Sequence, residues 1–358
     1  MPGSLDRYLL RSFLVRAAAI TGALAALLAL FDVLANADDV VGGSGRIVVA
    51  LLAYVGLRLP EILVLVLPLS ALLATLATFA TLVTTNEMVA VRAAGISIYR
   101  VTFALLTGAV VLAGVHIWFA DTVLPATSSR LALWEARDYG GLPPRRRPSR
   151  APAWFTVGDA LVEVGASSLD GRNLRDITVI RRDPEGRMTA YIRAERARYL
   201  GDRWLLEQVH RVPVNGAARP DVPRMRLALP VTPARFAALG ERPGALSLSE
   251  IARLARNPDL GGRPARVYHV WLQRKFAHAA GALVMVLLAA PLGLQHARRN
   301  RLMLGSVAAI GAGFLYFVAE RLLLALGETG ALPATMAVWA PAVVFSMLAL
   351  WLLLRYEG

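Results

Sequence analysis

Glu320 and Arg321 stand side by side in Phe314-Leu-Tyr-Phe-Val-Ala-Glu-Arg321, inside a stretch otherwise apolar enough to cross a bilayer. Ionised groups are costly at that depth and face protein or a polar cavity rather than lipid. Two roles follow for the pair: a structural contact between helices or, with nearby Tyr316, polar lining for an amphiphilic substrate. The other acidic residues near or inside apolar stretches are Asp32, Glu61 and Asp121, and no two carry the spacing of an acid–base pair. Of the histidines, His116 is expected to pack or to meet the headgroup zone, while His269 and His278 flank the start of a later apolar stretch. The absence of cysteine excludes disulfides, thiolate nucleophiles and cysteine-held metals. P-loop, HExxH and GxSxG patterns are missing too, as is a convincing metal-ligand cluster. Neither catalysis nor a cofactor is expected in this chain.

A second polar feature is the segment TTNEMVAVRAAGISIYR, Thr84 to Arg100, lying between two very apolar stretches. Val89, Ala90, Ala93 and Ala94 give it small, apolar packing positions, and Glu87 and Arg92 offer polar contacts. Gly95 can stop a helix before the next span, and Ser97 can cap the one that follows. The segment reads as a short interfacial helix, either an ordinary connector or a surface for a partner.

The elements that carry these groups follow from composition. The chain has 358 residues, 56% of them hydrophobic, and its mean hydropathy of +0.52 is far from that of a soluble domain. A span needs about 20 mostly apolar residues. Spans are predicted at Phe13 to Val33, Glu61 to Val83, Val101 to Leu124, Val270 to Leu294, Leu304 to Leu326 and Pro333 to Leu354. Arg58-Leu-Pro60-Glu61 divides the second apolar run, so Gly45 to Leu59 is expected to be a separate interfacial or short outer helix, with Pro60 opening the span. The apolar run after the charged start has no clean small-x-small cleavage site, so it reads as a retained span rather than a signal peptide.

Between Pro125 and about Arg266 no span is expected. AWFTVGD, DALVEVG, LRDITVIRRD, MTAYIRAERARYL and RWLLEQVHRVPV alternate with a period near two, between Gly, Asp and Pro signals. They predict a mainly β domain, a sandwich or jelly roll. Pro143-Pro-Arg-Arg-Arg-Pro148 reads as a solvated loop, and Leu248 to Arg256 as a helix capped by Ser247 or Ser249.

The net charge of +14 rests on arginine, since Lys275 is the sole lysine. In a chain with spans this balance points to cytoplasmic loops rather than to nucleic acid. Arg7, Arg11 and Arg16, then Arg92 and Arg100, then His296, Arg298, Arg299 and Arg301, and finally Arg355 all fall on one side of a six-span topology. That side is the cytoplasm, with both termini, and the β domain lies outside. The expected architecture is an α-helical integral membrane protein with six transmembrane helices and an inserted β domain. Residues 1–124 would hold three spans, 125–266 the β domain and return segment, and 267–358 three more. Asp32, Asn36, Asp38 and Asp39 gather at the outer end of the first span, framing an entrance or capping the turn, and Lys275 is placed to snorkel toward headgroups.

With this organisation in hand, several stretches become recognisable: LDRYLLRSFL, LPEILVLVLPLSALLATLATFATLVTTNEMVAVRAAGIS, ERARYLGDRWLLEQVHRV, SLSEIARLARNPDLGGRPARVYHVWLQRKFAHAAGALVMVLLAAPLGLQ and ERLLLALGETGALPATMAVWAPAVVF. The chain resembles, essentially end to end, the LptF/LptG family of permease subunits of the lipopolysaccharide-transport ABC exporter of Gram-negative bacteria. The block from Asn86 to Ser97 is its most specific part. LDRYL, NEMVAVRAAG and LPATMAVWAP resemble the G branch more than the F branch, which stands as the alternative. A non-transporting membrane scaffold or sensor is a further one.

The resemblance implies one half of a heterodimer with an LptF-like partner, enclosing a cavity for lipopolysaccharide. An LptB ATPase dimer beneath it would bind ATP and Mg, and a periplasmic β-jellyroll would adjoin LptC and, through it, LptA. It assigns residues 84–96 as a coupling helix seated in LptB, with Asn86, Glu87, Val89, Arg92 and Gly95 at the contact. The first and fifth spans would form lateral gates. Candidates for the cavity or gate are Asp32, Arg46, Arg58, Lys275, Tyr316, Glu320 and Arg321. Of these, Arg46, Arg58 and Lys275 are the candidates for lipid A phosphates. Ala279 and Leu292 depart from the family's usual proline and phenylalanine, and the acidic outer end of the first span departs from its usual basic character.

Overall fold

The computed structural model describes residues 3–42, 47–135, 139–140, 153–157, 160–167, 171–183, 187–201, 203–212, 222–228, 246–257, 263–297 and 302–357, with the single residues 233, 236 and 244. Arg46, the Pro143–Pro148 loop and Arg298, Arg299 and Arg301 lie outside the described residues. The chain divides into two compact units. One comprises Met1–Ala37, Arg58–Leu124 and His269–Gly358, the other Asp38–Leu57 and Pro125–Tyr268.

Helices α1 (Ser4–Gly42), α2 (Ile47–Thr84), the short α3 (Glu87–Ala93) and α4 (Ile98–Trp118) come first. Six helical stretches have the length and hydropathy of membrane spans. Helix α2 corrects one expectation: it runs unbroken through Pro60 and Pro68 instead of starting at Pro60. An interior proline leaves one carbonyl without its helical donor. Breaking the helix in an apolar medium would strand several backbone groups, so continuity costs less.

The third span also runs longer than expected. Past Trp118 the backbone makes a π-turn over Phe119–Val123 and continues as α5 (Leu124–Glu135), so Pro125 lies within helix rather than at the start of the β domain. The chain returns through α6 (Leu248–Arg256), which carries a full capping box between Ser247 and Glu250. It ends with α7 (Ala265–Ala297), α8 (Leu302–Thr329) and α9 (Ala334–Glu357).

Leu9 and Phe13 of α1, Leu72 and Phe79 of α2, Leu105 of α4, Met285 of α7, Tyr316 of α8 and Phe345 of α9 share one core. Lipid is as apolar as these side chains, so close packing rather than water exclusion must hold the helices together. Small residues provide it. A Cβ added to Gly108 would lie 2.5 Å from the Phe13 ring, so α1 sits directly on the α4 backbone.

The β unit contains one six-stranded antiparallel sheet in sequential order: β1 (Ala153–Val157), β2 (Ala160–Ser167), β3 (Asn173–Arg182), β4 (Met188–Tyr199), β5 (Trp204–Val212) and β6 (Val222–Leu227). The period-two runs therefore form an inserted β domain as expected, and the described strands connect as a meander. Val162, Leu174, Ile177, Val179, Ala194, Trp204, Leu206 and Phe236 make its core, and Trp204 meets the Phe236 ring edge-on at 4.8 Å.

Candidate functional site

Two groups of polar residues attract attention in the helical unit: the connector between α2 and α4, and charged side chains at span depth. In the connector, Asn86 takes a left-handed conformation (φ 60°) that turns the chain sharply out of α2. Met88 and Val91 are buried, and both join the main core. Their side of α3 is thereby fixed to the bundle, and Val89, Ala90, Arg92 and Ala93 are left exposed. Gly95 closes the helix at φ +73°, a backbone geometry that strains any side chain. Its N–H donates to the Arg92 carbonyl at 2.9 Å and the Ile96 N–H to that of Val91 at 3.1 Å, a Schellman ending. Ser97 then caps α4 by accepting from the Tyr99 N–H at 3.1 Å. Two contacts tie the connector region to the start of α1: the Tyr8 hydroxyl donates to Glu87 Oε1 at 3.3 Å, and Arg100 pairs with Asp6 at 3.3 Å. The result is a rigidly mounted short helix presenting small, apolar and cationic groups.

At span depth one of the two neighbouring charges makes a contact between helices. Glu320 is 4% exposed and pairs with His278, whose Nδ1 lies 2.8 Å from Glu320 Oε1. Arg321 points the other way and is exposed. His116 of α4 adds its ring 5.1 Å from that of His278, so three helices contribute to one buried polar cluster. Tyr316, also buried, stacks edge-on against Phe345 at 5.5 Å. Glu320 Oε2 and His116 Nδ1 are buried without a hydrogen-bond partner among the described residues.

Lys275 is 10% exposed and donates to the Ala120 carbonyl at 2.9 Å, with Asp121 Oδ1 at 3.7 Å. The local sequence explains why that carbonyl is available. In the π-turn the Leu124 N–H bonds Phe119 O, and the next residue, Pro125, has no N–H to offer Ala120. The sole lysine supplies the missing donor from α7.

Asp32 and Arg58 join α1 to α2, with Arg58 Nε 3.2 Å from both Asp32 oxygens and Nη1 2.5 Å from Glu61 Oε2. The cationic candidate Arg58 is thus engaged by carboxylates, which sequence reading had treated separately.

Arg16, one of the topological charges in the sequence, also makes contacts between helices. It donates from α1 to Ser12 Oγ at 2.5 Å, Thr78 Oγ1 at 3.2 Å and Thr81 Oγ1 at 3.0 Å. Both threonine hydroxyls in turn donate to carbonyls one turn back, on Ala74 and Ala77. The Thr75-x-x-Thr78-x-x-Thr81 spacing along α2 was the signal available for this stripe. Among the described residues no group of three His, Asp or Glu side chains is placed to hold a metal ion.

Six helices with the length and hydropathy of spans, an inserted β-sheet domain, and a rigid helical connector between the second and third spans together define a multi-pass membrane protein. The family described as "Lipopolysaccharide export system permease LptF/LptG" matches residues 7–355, and the chain belongs to that family. It is 24% identical over 359 residues to a Haemophilus influenzae protein named "Lipopolysaccharide export system permease protein LptG", an alignment covering 99% of each chain. The chain is accordingly a multi-pass inner-membrane protein with its β-sheet domain in the periplasm.

Proposed function

We propose that this chain is the LptG-like permease of an ABC exporter that extracts lipopolysaccharide from the inner membrane. It pairs with an LptF-like permease above an LptB dimer that binds ATP and Mg, and hands lipid on through LptC toward LptA. Both termini lie in the cytoplasm, and the functional division follows 1–124, 125–266 and 267–358. The mounting of α3 carries this reading. Met88 and Val91 lock the helix to the bundle while Val89 and Arg92 stay exposed, so a push on the exposed face reaches the spans without being lost in a loose loop. Asn86 and Gly95 fix its two ends, and Glu87 is held by Tyr8.

Extraction demands such a lever, because each buried CH₂ drawn out of lipid costs about 0.8 kcal/mol before the cavity compensates. The apolar windows of α1 and α8 support a gate role for the first and fifth spans, being only 22% and 28% buried. Asp32, Arg58, Lys275, Tyr316 and Glu320 then organise the helices around the cavity, and Arg321 is the exposed cation among them; Arg46 completes the candidate set.

Val89→Asp with Arg92→Glu tests the lever. We expect the double variant to fold, to insert and to retain its permease partner, yet to lose co-purification of LptB at least tenfold. Unchanged LptB recovery together with unchanged export would overturn the assignment of α3.

A further inference from the structure

The register of the β sheet is interrupted at one level across several strands. Pairing runs Ile177↔Val164 then Arg175↔Ala166, passing over Asp176 and Gly165, and on the other side Ile177↔Ala194 then Arg175↔Arg196, passing over Glu195. Between β4 and β5, Ala194↔Val209 is followed by Arg196↔Glu207, passing over Gln208. Asp176 and Gln208 both have positive φ, 49° and 56°. At this crease β3 and β4 each turn two consecutive residues outward: Arg175 and Asp176 are both exposed, as are Glu195 and Arg196. Leu174, Ile177, Ala194 and Ala197 thereby stay in the core.

A groove of about 620 Å³ lies on the outward side of the crease. It is lined by Arg175, Asp176, Tyr191, Arg193, Glu195, Arg196 and His210, and its size is that of a small-molecule site. Arg175 and Arg196 face each other directly across the ladder, an arrangement that destabilises a sheet unless something neutralises it. Asp176 and Glu195 line the same groove, yet among the described residues the guanidiniums of Arg175, Arg193 and Arg196 make no ion pair or hydrogen bond.

We infer that this groove binds a phosphorylated saccharide. The unpaired guanidiniums suit phosphate oxygens, which they grip two at a time. The two carboxylates would repel a dense polyanion such as nucleic acid, but they accept hydrogen bonds from sugar hydroxyls. Tyr191 offers a flat apolar ring with a polar tip to the sugar face. The inference stands apart from the export reading, because binding is measured directly and its failure leaves that reading untouched.

The test uses the full chain purified in detergent with the subunits that accompany it, titrated by calorimetry with glucosamine 1-phosphate, glucosamine, inorganic phosphate and deacylated lipopolysaccharide. Glucosamine 1-phosphate is expected to bind saturably and at least tenfold more tightly than either glucosamine or phosphate. Arg175→Gln with Arg196→Gln should weaken it at least tenfold, while Arg198→Gln, exposed on β4 outside the groove, should not. Tighter binding of the deacylated lipopolysaccharide would identify a lipid headgroup as the source; tighter binding of the free phosphosugar would identify a soluble one. Either supports the site. No saturable binding, equal affinity for inorganic phosphate, or a double variant that binds as wild type would overturn it. Loss of an accompanying subunit with sugar binding unchanged would overturn it too, by making the groove a protein-docking face.

Discussion

His278 and Glu320 meet at 2.8 Å between α7 and α8, with the His116 ring 5.1 Å from that of His278. Removing one member of a buried hydrogen-bonded pair leaves its partner unsatisfied, whereas replacing both with apolar groups of similar shape can be nearly neutral. His278→Ala should therefore destabilise the purified protein by about 1–3 kcal/mol, and His278→Phe with Glu320→Leu should recover most of the loss. Thermal unfolding in detergent provides the check, and a double variant as damaged as the sum of the single ones would contradict the pairing. The sequence predicts that Glu320 and Arg321 together face another helix or a cavity, and it is Glu320 that makes such a contact, with His278. Neighbours on a helix point about 100° apart, so the two cannot share one direction, and here Glu320 is buried while Arg321 is exposed. The true partner is 42 residues away, and no local spacing announces it.

At the scale of elements, the third span shows how a proline can mislead. Pro125 read as the end of helix, yet the chain absorbs it with a π-turn and continues to Glu135. The turn's open carbonyl on Ala120 is closed by Lys275, making α4 and α7 one joined pair. Lys275→Met should leave that carbonyl without its donor and cost about 1–3 kcal/mol, with Lys275→Arg losing less. An unfolding midpoint identical to wild type for Lys275→Met would show that the contact contributes nothing to stability.

Pro60 misled in the same way, because a proline stop signal calibrated in water is weaker where a broken helix would expose its backbone to lipid. The short α3 was legible as a helix stopped by Gly95, but Val89, Ala90, Ala93 and Ala94, expected as packing positions, are exposed. Its anchoring through Met88 and Val91 was not legible, since the faces of a seven-residue helix are decided by what it packs against.

For the whole molecule, six apolar runs around a period-two middle were enough to give an inserted β domain between spans, and the family match over residues 7–355 agrees with that build. The meander order of the strands and the crease across β2 to β5 were beyond reach, because alternation reports which face a residue takes and not which strand it joins.

The central claim is that force applied at α3 moves lipid held by the spans. Its most direct test is ATP-driven transfer of lipopolysaccharide from proteoliposomes to LptA, with this chain, its permease partner, LptB and LptC reconstituted together. Transfer is expected to require both ATP and this chain, and to be abolished by Val89→Asp with Arg92→Glu. Transfer that proceeds at the same rate without this chain, or with the double variant in its place, would contradict it.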